Sequence, residues 1–118
     1  MPQFPQLLVD AGINVRQALA IALGGGSVQD LNGAGAVNLT TFITKWGTTG
    51  AQAGTLADGA EGQIKIIMMD ADGGDGTLTP SNFGNGTTIT FNDVGDTVAL
   101  VFLNTDWWLI SNNGATIA

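Results

Sequence analysis

The chain contains no cysteine, no histidine and no tyrosine. Without cysteine there is no disulfide, no thiolate nucleophile and no zinc–thiolate site. Without histidine the commonest general base and metal ligand are missing, and without tyrosine the phenolic acid is missing too. Positive charge is scarce: Arg16, Lys45 and Lys65 stand against ten acidic residues, for a net charge of −7 and a pI near 4.1. A nucleic-acid binder needs several cations to displace counterions from phosphates, and this chain cannot supply them. Most enzyme classes lose their working side chains before any motif is sought.

Long apolar runs are also absent. Ala18–Leu23 is the longest near-apolar stretch and stops at Gly24-Gly25-Gly26, far short of the roughly 20 residues that cross a bilayer as a helix. The first residues, MPQFPQLLVD, have no basic segment before an apolar one, so they do not read as a secretory signal. A soluble chain that avoids the membrane is expected.

What remains is apolar. Hydrophobic residues make up 44% of the 118, and charged residues only 11%, against an average charged share of about 25%. Mean hydropathy is +0.25. Disorder is excluded, because disordered chains are charge-rich and apolar-poor. The length suits one domain with a real core and apolar surface left over for a partner.

Two regions are expected: an arm and linker over residues 1–26, and a β-domain over 27–118. Pro2 and Pro5 lack backbone donors and hold their predecessors extended, while Phe4, Leu7, Leu8 and Val9 are apolar. Such an arm packs on its own domain or reaches a neighbour. Residues 14–23 fit two templates. Val15, Ala18, Leu19, Ala22 and Leu23 follow helical spacing between Asn14 and Gly24, yet Leu19, Ile21 and Leu23 alternate with alanine as a strand would. The β character of the remainder favours the strand.

Segments Ala36–Trp46, Gln63–Met69, Thr87–Asn92, Thr97–Leu103 and Trp107–Ser111 are rich in β-branched and aromatic residues. Gly, Asn and Asp clusters separate them. This spacing predicts an all-β fold: an antiparallel β-sandwich or small barrel, jelly-roll-like, with an extended N-terminal arm. Thr97–Leu103 is apolar at nearly every position, so both its faces should be covered.

Asp70, Asp72 and Asp75 place carboxylates around a glycine-rich turn, as a hard cation would require. The calcium-loop pattern fails, however: Asp75 stands where the sixth-position glycine belongs and Ser81 where the twelfth-position glutamate belongs. A tight acidic turn explains the residues better, and no metal or other cofactor is expected. Gly24–Gly26 and Gly33-Ala34-Gly35 lack phosphate-loop spacing and read as linkers. The carboxylates lie in or beside turns, without the facing pair that glycoside hydrolysis needs. Trp46, Trp107 and Trp108 carry most of the large aromatic area. Adjacent strand residues point to opposite faces, so one of Trp107 and Trp108 should fill the core and the other face a subunit, a ligand or water.

VNLTTFITKW (37–46), TLADGAEGQIKIIMMDADGGDGTLTP (55–80), GTTITFNDVGDTVALVFLNTDWWLI (86–110) and NNGATIA (112–118) occur in that order. Together they resemble a β-structured module of virion proteins in tailed bacteriophages, especially marine and cyanobacterial ones. The resemblance spans about two-thirds of the chain and leaves out the first 36 residues. It implies a virion structural role: a capsid decoration (cement) protein, or part of a fibre or spike that meets a host receptor or glycan. It also implies a homotrimer with no catalytic residues. Trp108 departs from the pattern, where a small or β-branched residue is more usual. A chain of 118 residues has no room for a shaft and an attachment domain, which favours decoration of the outer capsid surface. On this reading Pro2, Phe4, Pro5, Leu7, Leu8, Trp46, Trp107 and Trp108 contact the major capsid protein or neighbouring subunits.

Overall fold

The structure is a computed structural model and describes residues 27–118. Ten strands form two five-stranded sheets. They are β1 (Val28–Asn32), β2 (Gly35–Val37), β3 (Ile43–Gly47), β4 (Gln52–Leu56), β5 (Ile64–Ala71), β6 (Gly76–Pro80), β7 (Ile89–Phe91), β8 (Thr97–Leu103), β9 (Asp106–Asn113) and β10 (Thr116–Ile117). One sheet, called A below, has the order β1-β3-β5-β8-β9; the other, B, has the order β10-β7-β6-β4-β2.

The expectation of all-β layers holds, but the antiparallel, jelly-roll-like wiring is corrected. Four strand pairings are parallel (β1–β3, β3–β5, β2–β4, β4–β6) and four antiparallel. From β1 to β6 the chain visits sheets A and B alternately. Each pair of strands is one turn of a flattened coil, and successive turns stack in parallel register. Returning through the opposite sheet replaces the helical crossover that parallel strands otherwise need. From β7 onward the chain reverses and finishes both sheets with antiparallel strands.

Turns of this coil touch closely at their corners, which is why glycine is placed there. The β5–β6 corner lies on the β3–β4 corner: Gly73 N donates to Thr48 O at 2.9 Å, and Thr48 Oγ1 donates to Gly74 O at 2.6 Å. A Cβ on Gly73 or Gly74 would collide with the backbone of Thr48–Ala51. Gly33-Ala34-Gly35, expected as a linker, is instead the corner between β1 and β2, with Gly33 at φ 82°. Its N–H donates to Gly47 O at 2.8 Å, tying the first turn to the second.

The two sheets enclose one core. Trp46, Leu56, Ile67, Met69, Leu78, Ile89, Phe91, Val98, Leu100 and Trp107 are fully buried there. Trp46 meets Phe91 edge-on at 5.7 Å, and Phe102 meets Trp107 likewise at 5.2 Å, both favoured aromatic geometries. The Trp46 indole fits because Gly54 and Gly76 face it; a Cβ at Gly54 would stand 2.9 Å from the ring. Gly76, expected in a turn, therefore belongs to a strand. The Trp46 Nε1 donates to Gly33 O at 2.8 Å, so the polar end of the ring is satisfied.

Strand boundaries differ from expectation where coil corners intervene. Ala36–Trp46 splits into β2 and β3, and β1, β4, β6 and β10 were not expected at all. β8 spans Thr97–Leu103, as expected.

Candidate interaction surface

Because side chains alternate across a strand, each sheet has an inner face toward the core and an outer face. On sheet A the apolar outer positions are Val28 on β1, Ile43 on β3, Ile64, Ile66 and Met68 on β5, Ala99, Val101 and Leu103 on β8, and Trp108 on β9; Asp30, Lys45, Asp70, Thr97 and Asp106 share the same side. Register sets Val28, Ile43, Ile66 and Ala99 in one row, and Ile64, Val101 and Trp108 in another. Ile110, the extra residue at the β8–β9 bulge, adds to the surface and is 55% exposed. Charge crosses this face: Lys45 and Asp30 approach to 3.9 Å and stay largely exposed, Lys45 stands in register with Met68, Asp70 follows on β5, and Asp106 lies opposite Leu103.

Sheet B differs. Its outer positions are Ala36, Ala53, Thr55, Thr77, Thr79, Thr90 and Thr116, with Ala53, Thr77, Thr90 and Thr116 aligned across four strands. Such a face is at home in water.

Trp108 is the largest side chain on the apolar face and is 38% exposed. Its ring lies on Gly84, where a Cβ would come within 2.5 Å, and its Nε1 donates to Leu103 O at 2.9 Å. The β6–β7 loop also closes the free edge of β9: Trp107 N donates to Asn82 O and Gly84 N to Trp107 O, both at 2.9 Å. Trp107 points the other way, fully buried, with its Nε1 on Ala57 O at 2.9 Å. The expected division of this pair between core and surface is what the structure shows. Trp46 and Trp107, expected as contact residues, are corrected: both lie inside the chain's own core, and only Trp108 of the three reaches the surface. Pro2, Phe4, Pro5, Leu7 and Leu8, and the helix-or-strand question at 14–23, fall outside the described residues.

The acidic turn forms no cation cage. Asp72 Oδ1 accepts from Gly74 N at 3.2 Å, an Asx-type turn. Asp70, Asp72 and Asp75 are exposed, and among the described residues no group of three acidic side chains is placed to hold a metal ion. The glycines between them serve the corner packing described above.

Lys65 was not singled out by sequence. It lies on the inner side of β5, fully buried, and Nζ donates to Thr41 O at 2.8 Å, Thr41 Oγ1 at 2.7 Å and Asn38 Oδ1 at 3.2 Å. No carboxylate is among these partners, and burial lowers its pKa from 10.5 to about 8. The cluster anchors the β2–β3 loop to the core. Its sequence signal is a lone lysine inside an apolar strand, Ile64-Lys65-Ile66-Ile67.

No family model matches the chain, and no curated protein does. Among solved structures, one described as "Structure of a chaperone-substrate complex" is similar, with a TM-score of 0.53 and 21% identity. The match covers 78% of this chain and 19% of that one, so this chain corresponds to about a fifth of its neighbour's length. At that identity the likeness concerns the fold alone.

Proposed function

We propose that this chain is a virion structural protein, a capsid decoration (cement) protein that binds the outer shell as a homotrimer and stabilises it. The observation that carries the reading is the apolar outer face of sheet A, an all-β body presenting Ile64, Met68, Trp108 and Ile110 to its surroundings. At about 25 cal/mol per Å² of apolar surface, covering such a face favours assembly, although association costs consume part of the gain. The mechanism is mechanical: contacts repeated over a shell sum to a large resistance to bursting. Residues 1–26, including Pro2, Phe4, Pro5, Leu7 and Leu8, are the proposed anchor to the major capsid protein. The role requires no catalysis, cofactor, nucleic acid or membrane.

Quantitative proteomics of purified particles tests this reading. Copies comparable in number to the major capsid protein support decoration. Absence from the particle contradicts it.

A second reading makes the chain a fibre or spike module that binds a host receptor or glycan. The Trp108 ring favours it, because a partly exposed indole held flat over Gly84 is a ready stacking platform for a sugar. Glycan binding that disappears in Trp108→Ala, with few copies per particle, would establish this alternative.

A further inference from the structure

We infer that Lys65 and Asn38 join in an intramolecular isopeptide bond, Lys65 Nζ displacing the side-chain amide nitrogen of Asn38 and fastening the β2–β3 loop covalently to β5. The inference stands apart from the capsid role proposed above. It concerns one buried cluster and holds for the single chain.

The geometry assembles the parts of an acyl transfer. Lys65 supplies the nucleophile: it is fully buried, and Nζ is 3.2 Å from Asn38 Oδ1, the oxygen bonded to the carbon under attack. Asn38 supplies the electrophile. Its Oδ1 accepts from Thr41 N at 3.2 Å and from Thr41 Oγ1 at 2.6 Å, so two donors already stand where negative charge gathers in a tetrahedral intermediate. Thr41 also supplies a proton path, because the same hydroxyl accepts from Lys65 Nζ at 2.7 Å. Both partners are held in reach: Asn38 N donates to Gln29 Oε1 at 2.9 Å, and Lys65 Nζ donates to Thr41 O at 2.8 Å. Groups fixed this way react at a high effective concentration.

The step balances without a cofactor. The Lys65 ammonium first gives one proton to water. The amine lone pair then forms the Nζ–Cγ bond while the carbonyl electron pair moves onto Oδ1. On collapse the carbonyl re-forms and the Cγ–Nδ2 bond breaks. Nδ2 leaves as ammonia, with a proton that Nζ passes through Thr41 Oγ1. Burial favours the reactive amine, lowering the Lys65 pKa to about 8. The elements packed against it bring no charge: residues 38–42 and β8, where Leu100 is its register partner, carry no ionisable side chain, and Lys45 of β3 points to the outer face. The product replaces a costly buried ammonium with a neutral amide. It also closes a covalent loop over residues 38–65, which restricts the unfolded chain as a disulfide does.

The test is intact-mass spectrometry and a tryptic map of the denatured full chain, after incubation at neutral pH and above the Lys65 pKa of about 8. Trypsin cuts after Arg16, Lys45 and Lys65, but not after an acylated lysine, so the linked chain yields residues 17–45 joined to 46–118. The expected result is a mass lower by one ammonia together with that branched product, formed slowly at neutral pH and faster above about pH 8. Neither should form in Asn38→Ala or Lys65→Arg, and Thr41→Val should slow linkage by about 100-fold. An unchanged parent mass overturns the inference. So does loss of ammonia with Lys65 still cleaved, which a succinimide at Asn32-Gly33, Asn85-Gly86 or Asn113-Gly114 would give. Should a variant fail to fold, the branched product in the parent decides.

Discussion

The outer faces of the two sheets are built on the same five-stranded frame, cover the same core and share the same chain, yet they are chemically opposite. Sheet A offers isoleucine, valine, methionine and tryptophan, interrupted by Asp30, Lys45, Asp70 and Asp106; sheet B offers alanine and threonine without charge. The inner faces do not differ in this way, since both contribute large apolar residues to one core. Inward positions therefore carry the information for folding, and on the proposed function the outward positions of sheet A carry that for association. A β-branched residue suits either face of a strand, so β propensity does not distinguish valine from threonine here. Only their transfer from water does.

Removing what the faces share should have the largest effect. Trp46→Ala vacates the space between Phe91, Gly54 and Gly76, and such large-to-small core changes cost about 3–5 kcal/mol. Both faces should be lost together in chemical denaturation, as one cooperative unit. Next comes making the faces alike. Replacing Ile64, Ile66 and Met68 with threonine should abolish self-association, read by light scattering, while the thermal midpoint of the isolated subunit moves little. A chain that still associates would show that the contrast between the faces has no bearing on assembly.

Smaller effects sharpen the picture of the frame itself. Lys65 has a folded pKa lowered to about 8 by burial against 10.5 unfolded. Between these values the unfolded chain binds more protons than the folded one, so stability should rise with pH from about 8 to 10.5. Below pH 8 the cost of keeping the ammonium buried is fully present. Thermal melts across that window should show the rise, and Lys65→Met should flatten it. Smallest is the β8–β9 hairpin, where Asn104 and Thr105 have φ of 52° and 71°. This suits a tight two-residue turn but strains a β-branched threonine. Thr105→Gly should stabilise the subunit by about 1 kcal/mol, measured by urea unfolding, without altering association.

How much of this was legible beforehand differs by element. β8 and the two-way split of Trp107 and Trp108 follow from composition and strict alternation, which are local properties. The parallel stacking of β1–β6 was not legible. Register in a coil is set by corner contacts such as Thr48 with Gly73 and Gly74, and these join residues distant in sequence. β4 is not legible because Gln52-Ala53-Gly54-Thr55-Leu56 has little β propensity; its pairing with β2 and β6 makes it a strand, and Gly54 leaves room for Trp46. The apolar face was half legible. Ile64–Met69 and Thr97–Leu103 are too apolar to have only one buried side, but nothing in their order says that they pair in one sheet. Asp70, Asp72 and Asp75 drew attention by charge, while the glycines among them were placed by packing.

The most direct test of the central claim, that the sheet A face is covered by association, is iodide quenching of tryptophan fluorescence as the full chain is diluted. Trp46 and Trp107 are fully buried in the single chain and Trp108 is 38% exposed, so only one indole should respond. The account predicts a quenchable fraction that is negligible when concentrated, appears on dilution through the dissociation range, and is absent at every concentration in Trp108→Phe. A Trp108 that iodide reaches equally at every concentration would contradict it.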